Sequence, residues 1–435
     1  MRNIRVGMIG CGVVGQGVLR LLAENAASIE GRLGGHIEVK RIAVRDPKKE
    51  RGPHTRAGLV TGDIDGLIAD PDIDVVVEVM GGVEPAGTYV RRALEGGKSV
   101  VTANKALLAE RGHQLIELAE GRGVDLYFEA AVAGGIPVIR ILREALASDR
   151  IVALRGIVNG TSNYILSQMQ ESGSSFETAL AQAQRAGYAE ADPTLDVGGG
   201  DAAHKLALLA TLAYGAKIDV TRIPTEGIDR VKAVDIEFAR RFGFTIKPLA
   251  IARAVAPGVF DLRVHPALVP RKSPLAHIDG ALNAVQIEGA ALGPCLLSGL
   301  GAGALPTAVS VVSDIVDVGR NLISEARGRV PQRAFLGERM IVAKLRDIAE
   351  HVCRYYLRFY VRDRSGVLGR IATTLGAHGV SIEQMVQEGR GQDEPVAVVL
   401  LTHPAQERLV RAALAEINAS DVVTEPALAL RIEDA

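Results

Sequence analysis

Cysteine, net charge and uninterrupted apolar sequence are all scarce in this 435-residue chain. The three cysteines, Cys11, Cys295 and Cys353, lie far apart and in no metal-ligand spacing. That argues against a disulfide framework or a zinc site and for a reducing cytoplasm. Fifty basic residues stand against fifty-one acidic ones, so no global field draws in nucleic acid or an anionic membrane, and small molecules are the expected partners. The one long uncharged run, Gly289 to Ser313, holds five glycines and two prolines. It therefore reads as loops within a buried α/β domain rather than a membrane span. Arg2 and Arg5 precede a strand and a glycine loop, with no apolar signal core or small-residue cleavage site, so no export is expected. What is plentiful is globular: 48% hydrophobic residues with 23% charged, in a length that holds two or three domains.

Asn3 to Ile9 alternates and ends in Gly10-Cys11-Gly12-Val13-Val14-Gly15, after which Gln16 to Ala23 carries a helical apolar stripe. Strand, glycine turn and helix in that order point to dinucleotide binding. The turn needs φ freedom, and a pyrophosphate needs bare backbone N–H groups at a helix N-terminus. A second strand, Ile37 to Val44, ends at Arg45-Asp46, where such folds read the ribose. Arg45, with Lys48 and Lys49 behind it, favours NADP, while Asp46 keeps NAD open. Further parallel-type strands at 74–79, 99–102 and 125–128 alternate with helical stretches at 89–95 and 106–119, the pattern of a doubly wound sheet. Lys105 follows the 99–102 strand at the sheet edge where open α/β folds place ligands.

The densest polar stretch is Gly187-Tyr188-Ala189-Glu190-Ala191-Asp192-Pro193 through Asp201 to Lys205. From Asp201 the pattern reads as a buried helix ending at Gly215. Asp201 in its first turn complements the helix dipole, and Lys205 falls on the same face about 6 Å further along the axis. A solvated ion pair at a helix cap would fit that spacing. Leu206, Leu208 and Leu209, however, bring Lys205 out beside an apolar face, where a lysine can titrate near neutral pH. Alternating segments between Ile246 and Leu297 predict an added antiparallel sheet. Gly299 to Thr307 then precedes a helix from Ala308 to about Arg327 that could bring its glycines back to the cofactor. Near Arg354 a new module begins. Strands at 355–361, 380–387, 395–402 and 427–432, with helices at 367–377 and 405–418, give the ferredoxin-like βαββαβ plan. It falls outside the expected catalytic core, which points to regulation.

Together, Gly10-x-Gly12-x-x-Gly15, Asn104-Lys105, Asn159-Gly160-Thr161-Ser162-Asn163-Tyr164, Gly187 to Pro193, Asp196-Val197-x-Gly199-x-Asp201-x-x-x-Lys205 and Gly301-Ala302-Gly303-x-x-Pro306-Thr307 closely resemble homoserine dehydrogenase. The stretch from Tyr355 to Ile432 resembles an ACT domain. The resemblance implies a Rossmann NAD(P)-binding domain over 1–135, completed by about 305–345. It further implies a substrate-binding and dimerisation region over 136–304, and an ACT regulatory domain over 354–432. Homoserine and aspartate 4-semialdehyde would be interconverted on the route to threonine and methionine. Lys205 becomes the proton donor, Glu190 and Asp201 substrate contacts, Lys105 a neighbour of cofactor and substrate, and Gly187 and Gly303 cofactor contacts. A monovalent cation, usually sodium, would be held by the Glu129 side chain and the carbonyls of Val132, Gly134 and Ile136. A cytoplasmic homo-oligomer, dimer or tetramer, with threonine as effector around Asp363 to Gly366 and His378, completes the expectation.

Two rival readings fit less of the chain. Oxidation of the semialdehyde to an acyl phosphate needs a thiolate nucleophile, yet Cys11 lies in the phosphate loop, and Cys295 and Cys353 sit in no nucleophile context. A non-catalytic NAD(P) sensor reading an amino acid through its C-terminal module has no need of a proton donor at Lys205.

Overall fold

The computed structural model describes residues 2–388 and 395–434. Its first sheet is built from β1 (Arg2–Ile9), β2 (Gly35–Ala43), β3 (Val60–Thr61), β4 (Val75–Glu78), β5 (Ser99–Thr102) and β6 (Leu126–Tyr127). The strands are all parallel, in the order β3-β2-β1-β4-β5-β6. This is the doubly wound dinucleotide-binding order. Side chains alternate between the two faces. Val75 and Val77 pack with Val18 of the Val13–Glu24 helix and with Val311 and Ile315 of the Ala304–Ile323 helix, while Val76 and Val100 pack with Leu94, Leu107 and Leu115.

The Ala304–Ile323 helix does return to this sheet, but it starts four residues before the predicted Ala308 and ends before Arg327. Pro306 is tolerated because it lies in the first turn, whose N–H groups have no intrahelical partner anyway. Glu325, at φ 55°, turns the chain out of the helix beyond its end. The following chain stays on the same domain, where Gln332 donates to the Val124 carbonyl and Arg333 pairs with Glu117 and Glu120.

The second sheet is antiparallel through Gly293–Leu300, Leu282–Gly289, Ile151–Ile157, Phe244–Ala256 and Val259–Pro270. Against it lies the Gly200–Tyr214 helix, apolar all round from Leu206 on but for Thr211 and therefore buried. Leu206, Leu209 and Leu212 share one core with Ala252 and Leu262 of the sheet and with Leu108 and Ile116 of the Lys105–Arg122 helix. Each such leucine contributes about 1.5–3 kcal/mol of burial, so the helix carrying Asp201 and Lys205 is fixed to both domains.

The C-terminal module has the expected βαββαβ order, Val352–Arg362, Val367–Ala377, Ile382–Glu388, Pro395–Thr402, Glu407–Asn418 and Leu428–Ile432. It does not stand apart from the catalytic core. Leu428–Ile432 pairs in parallel with Val259–Pro270 through Ala267 with Arg431 and Leu268 with Ile432, making one continuous sheet. Tyr356, Val399, Leu401 and Leu430 also share a core with Ile165, Met169 and Phe238.

Candidate active site

The three loop glycines have separate physical roles. At Gly10, φ is 102° and a Cβ would come within 2.8 Å of the Val79 backbone; at Gly15 it would come within 2.9 Å of the Gly10 carbonyl. Both positions hold the turn tight. Gly12, which caps the Val13–Glu24 helix, has no atom within 4 Å of where a Cβ would stand. It leaves open space over the N-terminal N–H groups, with Val13 70% exposed beside it and Val14 half-buried. Such a helix terminus accepts a pyrophosphate, so these residues fit a dinucleotide. A cleft of about 350 Å³ continues from there between Val13, Gln16, Arg20, His54 and Leu305. Gly303, at φ 120°, caps the helix whose Ala304 carbonyl abuts Gly17. Arg45 is exposed past the end of β2 and makes no ion pair among the described residues. One oxygen of Asp46 accepts the Lys48 N–H at 2.9 Å, closing a turn.

Lys105 opens its helix just past β5, on the sheet edge that also carries the glycine loop. The ordered turn before it depends on Glu78 at the end of β4. That buried carboxylate accepts Met80 N–H at 2.9 Å, Gly81 N–H at 3.1 Å and the Thr102 hydroxyl at 2.6 Å. Asn104 caps the helix through the Leu107 N–H and donates to the Gly82 carbonyl.

Across the domain junction, Asp201 receives two ammonium groups. Lys205 Nζ lies 2.8 Å from Oδ2 and Lys105 Nζ 2.7 Å from Oδ1. The Asp201 side chain is 2% exposed, against 11% for Lys205 and 39% for Lys105. Burial opposes the charge on Asp201, but the two ammoniums outweigh it and hold the carboxyl well below the usual carboxylate range. Burial likewise opposes the charge on Lys105, and Asp201, Asp196 and Glu190 overcome it and raise its ammonium above the ordinary lysine value. Lys205 Nζ also donates to the Val158 carbonyl at 2.6 Å. Asn159 Nδ2 donates to Asp201 Oδ2 at 2.9 Å and Asp196 Oδ1 at 2.7 Å.

Asp201 and Lys205 thus face each other at the spacing read from the sequence, Lys105 joins them from the other domain, and Glu190 acts on Lys105 by charge from an exposed position. Gly187, at φ 77°, is exposed beyond the Phe176–Arg185 helix. Sequence reasoning gave no role to the Val158 carbonyl, Asn159 or Glu78. The available signals were the motif that Asn159 opens and the position of Glu78 at the carboxyl end of a parallel strand, where ligand sites cluster.

The glycine-rich loop after β6 packs into the same junction. Ala133 and Gly134 take φ of 55° and 49°, and a Cβ on Gly134 would lie 2.4 Å from the Gly301 carbonyl. Glu129 is buried, with Oε1 accepting Ile139 N–H at 2.9 Å and Oε2 accepting Arg140 N–H at 2.8 Å. Burial raises its carboxyl, and burial with the charge of Glu129 pushes Asp314 up to about 8. The Gly134 carbonyl accepts the Ser310 hydroxyl, and that of Ile136 the Val138 N–H. Each of these oxygens keeps a lone pair, and oxygen is the donor that a hard cation takes. Burial pushes the Cys353 thiol up to about 12, far from a thiolate nucleophile.

Comparison with known proteins agrees along the whole chain. Family models described as homoserine dehydrogenase, as the NAD-binding domain of homoserine dehydrogenase and as ACT domain match residues 137–316, 10–129 and 355–419 respectively. A homoserine dehydrogenase of Pseudomonas aeruginosa is 44% identical over 434 residues, covering 100% of this chain and 99% of that protein. The crystal structure of one from Thiobacillus denitrificans is 44% identical with a TM-score of 0.92, covering 100% of this chain and 99% of the other. A hyperthermophilic archaeal homoserine dehydrogenase in complex with NADPH is 25% identical with a TM-score of 0.59, covering 73% of this chain and 98% of its own.

Proposed function

Since this chain belongs to the homoserine dehydrogenase family, we propose that it is an oxidoreductase interconverting L-homoserine and L-aspartate 4-semialdehyde, with Lys205 as the proton donor. A bound nicotinamide supplies or accepts the hydride. As the aldehyde carbon gains hydride, its oxygen takes a proton from the Lys205 ammonium, giving the alcohol; in the oxidative direction neutral Lys205 takes the hydroxyl proton back. The observation that carries this reading is the state of that ammonium. Of its three protons, one faces the Val158 carbonyl and one the Asp201 carboxylate, which leaves the third for a substrate oxygen.

Asp201 keeps both lysines in place and, with Glu190, provides the negative charge that a substrate α-ammonium requires. Lys105 stands between cofactor and substrate. Gly10, Gly12, Val13, Val14, Gly15, Gly187 and Gly303 hold the dinucleotide. The unpaired Arg45 favours the 2′-phosphate of NADP, the coenzyme form carried by the archaeal relative. Sodium would be held by Glu129 and the carbonyls of Val132, Gly134 and Ile136, adding positive charge at the domain junction. The reading extends to a cytoplasmic dimer or tetramer inhibited by threonine through the ACT domain.

The test is homoserine-dependent reduction of NADP and of NAD, each with and without threonine, for the wild type and Lys205→Ala. Wild type turns over, faster with NADP and more slowly with threonine. Lys205→Ala loses about 10²–10⁴-fold in kcat while NADPH binding, followed by fluorescence, is unchanged. Parallel loss of binding and turnover would make the lysine structural.

A further inference from the structure

Asn159 stands where the Ile151–Ile157 strand gives way to the Gly160–Ser172 helix, and it is 5% exposed. Its Oδ1 accepts the Ser162 N–H at 2.8 Å, an ordinary N-cap. A cap uses the oxygen alone. The amide nitrogen is spent elsewhere, on two carboxylates that come from different elements, Asp196 in the Thr194–Val197 turn and Asp201 in the Gly200–Tyr214 helix. The residue before it supplies the carbonyl that receives Lys205. Two adjacent residues therefore hold both the proton donor and the carboxylate paired with it.

Resting on the hydride-transfer reading above, we propose that Asn159 is a positioning residue for this reaction. Its amide fixes the Asp201 carboxylate so that Oδ2 meets Lys205 and Oδ1 remains for Lys105, and it separates Asp201 from Asp196. Without a donor between them, two carboxylates held by the same atom would repel, and Asp201 would be free to turn away from the proton donor. The same bond closes the loop over the site. Asp196 is tied through its side chain to Asn159 and through its carbonyl to the Ser162 hydroxyl at 2.9 Å, and Thr161 holds the Tyr188 carbonyl at 2.5 Å. Glu190 lies between those anchors in the chain.

Asn159→Asp separates the two jobs of the side chain, because aspartate caps a helix as well as asparagine does but cannot donate when ionised. The new carboxylate would face Asp196 from the turn and Asp201 and Lys205 from the buried helix, with Lys105 beyond Asp201. Thermal melting should fall modestly, because a third carboxylate is buried beside two others, while NADPH binding should be unchanged. At neutral pH kcat should fall about 10²-fold, as expected when a general acid loses its alignment. Activity relative to wild type should then rise as pH is lowered from about 8 to about 6, because three converging carboxylates raise one another's proton affinity and the substituted side chain, once protonated, can donate again. If the aspartate variant fails to fold, Asn159→Ala decides the matter: kcat at least about tenfold down with unchanged coenzyme affinity supports positioning. A lower melting temperature with wild-type kcat and pH profile in either variant would reduce Asn159 to a cap and overturn the proposal. Wild-type homoserine-dependent turnover, measured alongside, separates that failure from a failure of the reading it rests on.

Discussion

One ion triad in this molecule is centred on a buried carboxylate and another on a buried guanidinium, and their differences explain what each can do. In the active site a carboxylate, Asp201, sits between two lysines; at the seam with the ACT domain a guanidinium, Arg431, sits between Glu226 and Glu407. Arg431 gives four hydrogen bonds of 2.6–2.9 Å to the two glutamates. A planar guanidinium with four of its five N–H groups so committed stays charged and gives up no proton. Lys205 has a rotatable ammonium with one proton to spare, and Lys105 is 39% exposed. One arrangement can exchange a proton, whereas the other can only hold two pieces of chain together. They are linked all the same. Glu226 follows Thr225, whose methyl abuts Gly199, and Ile228 N–H bonds the Val197 carbonyl, so the seam backs the loop that leads into Asp201.

The comparison breaks hardest at its active half. Asp201→Asn leaves two ammoniums without their shared counter-charge, and kcat for homoserine oxidation should fall about 10²–10³-fold while the protein remains folded. Steady-state kinetics beside a circular-dichroism melt checks this; a kcat within about threefold of wild type would mean that the aspartate is ornamental to the chemistry.

At the seam the effect belongs to stability. Arg431→Met leaves the buried Glu407 with Arg411 as its remaining cation, while the 40% exposed Glu226 stays solvated, and should cost about 3 kcal/mol, read from denaturant unfolding. Per folded molecule, turnover without effector should stay within a few-fold. A pH signature accompanies it. Burial alone would raise the Glu407 carboxyl, but Arg431, helped by Tyr355 and Arg411, brings it from the ordinary 4.5 down to about 2. A depressed carboxyl stabilises the fold above its unfolded value. That contribution is present above pH 4.5 and is lost as pH falls from there to about 2. The variant should lose this segment of the stability curve, and an acid-unfolding profile parallel to wild type would count against the seam assignment.

Much of this was legible in the sequence, and the limits are physical. The parallel strands read as short apolar runs because both faces are covered, and the glycine loop and the Asp201–Lys205 spacing are local patterns. Lys105 could be placed at a sheet edge but not against Asp201, since that pair forms only when the Gly200–Tyr214 helix packs on the Lys105–Arg122 helix. Asn159 stands in a motif that the sequence shows, but its contacts do not, for the same reason: its two carboxylate partners come from a turn and a helix that approach only in the fold. The joining of the ACT strand to the catalytic sheet depends on two registered pairs, Ala267 with Arg431 and Leu268 with Ile432, and nothing in either segment announces them.

The mildest test concerns a charge in the open. Arg45 is exposed and makes no ion pair among the described residues, while Asp46 has one oxygen committed to the Lys48 N–H. The arginine is thus the group more available to a 2′-phosphate, and the basic Lys48 and Lys49 follow it. Solvent screens such a contact, so its removal should cost much less than breaking either triad. Arg45→Ala should raise KM for NADP about tenfold, equivalent to about 1.4 kcal/mol. KM for NAD and kcat with either coenzyme should hardly move, because Arg45 lies past the end of β2, apart from the Asp201–Lys205 pair. Equal changes for both coenzymes would place Arg45 outside the ribose site and leave Asp46 to decide the preference.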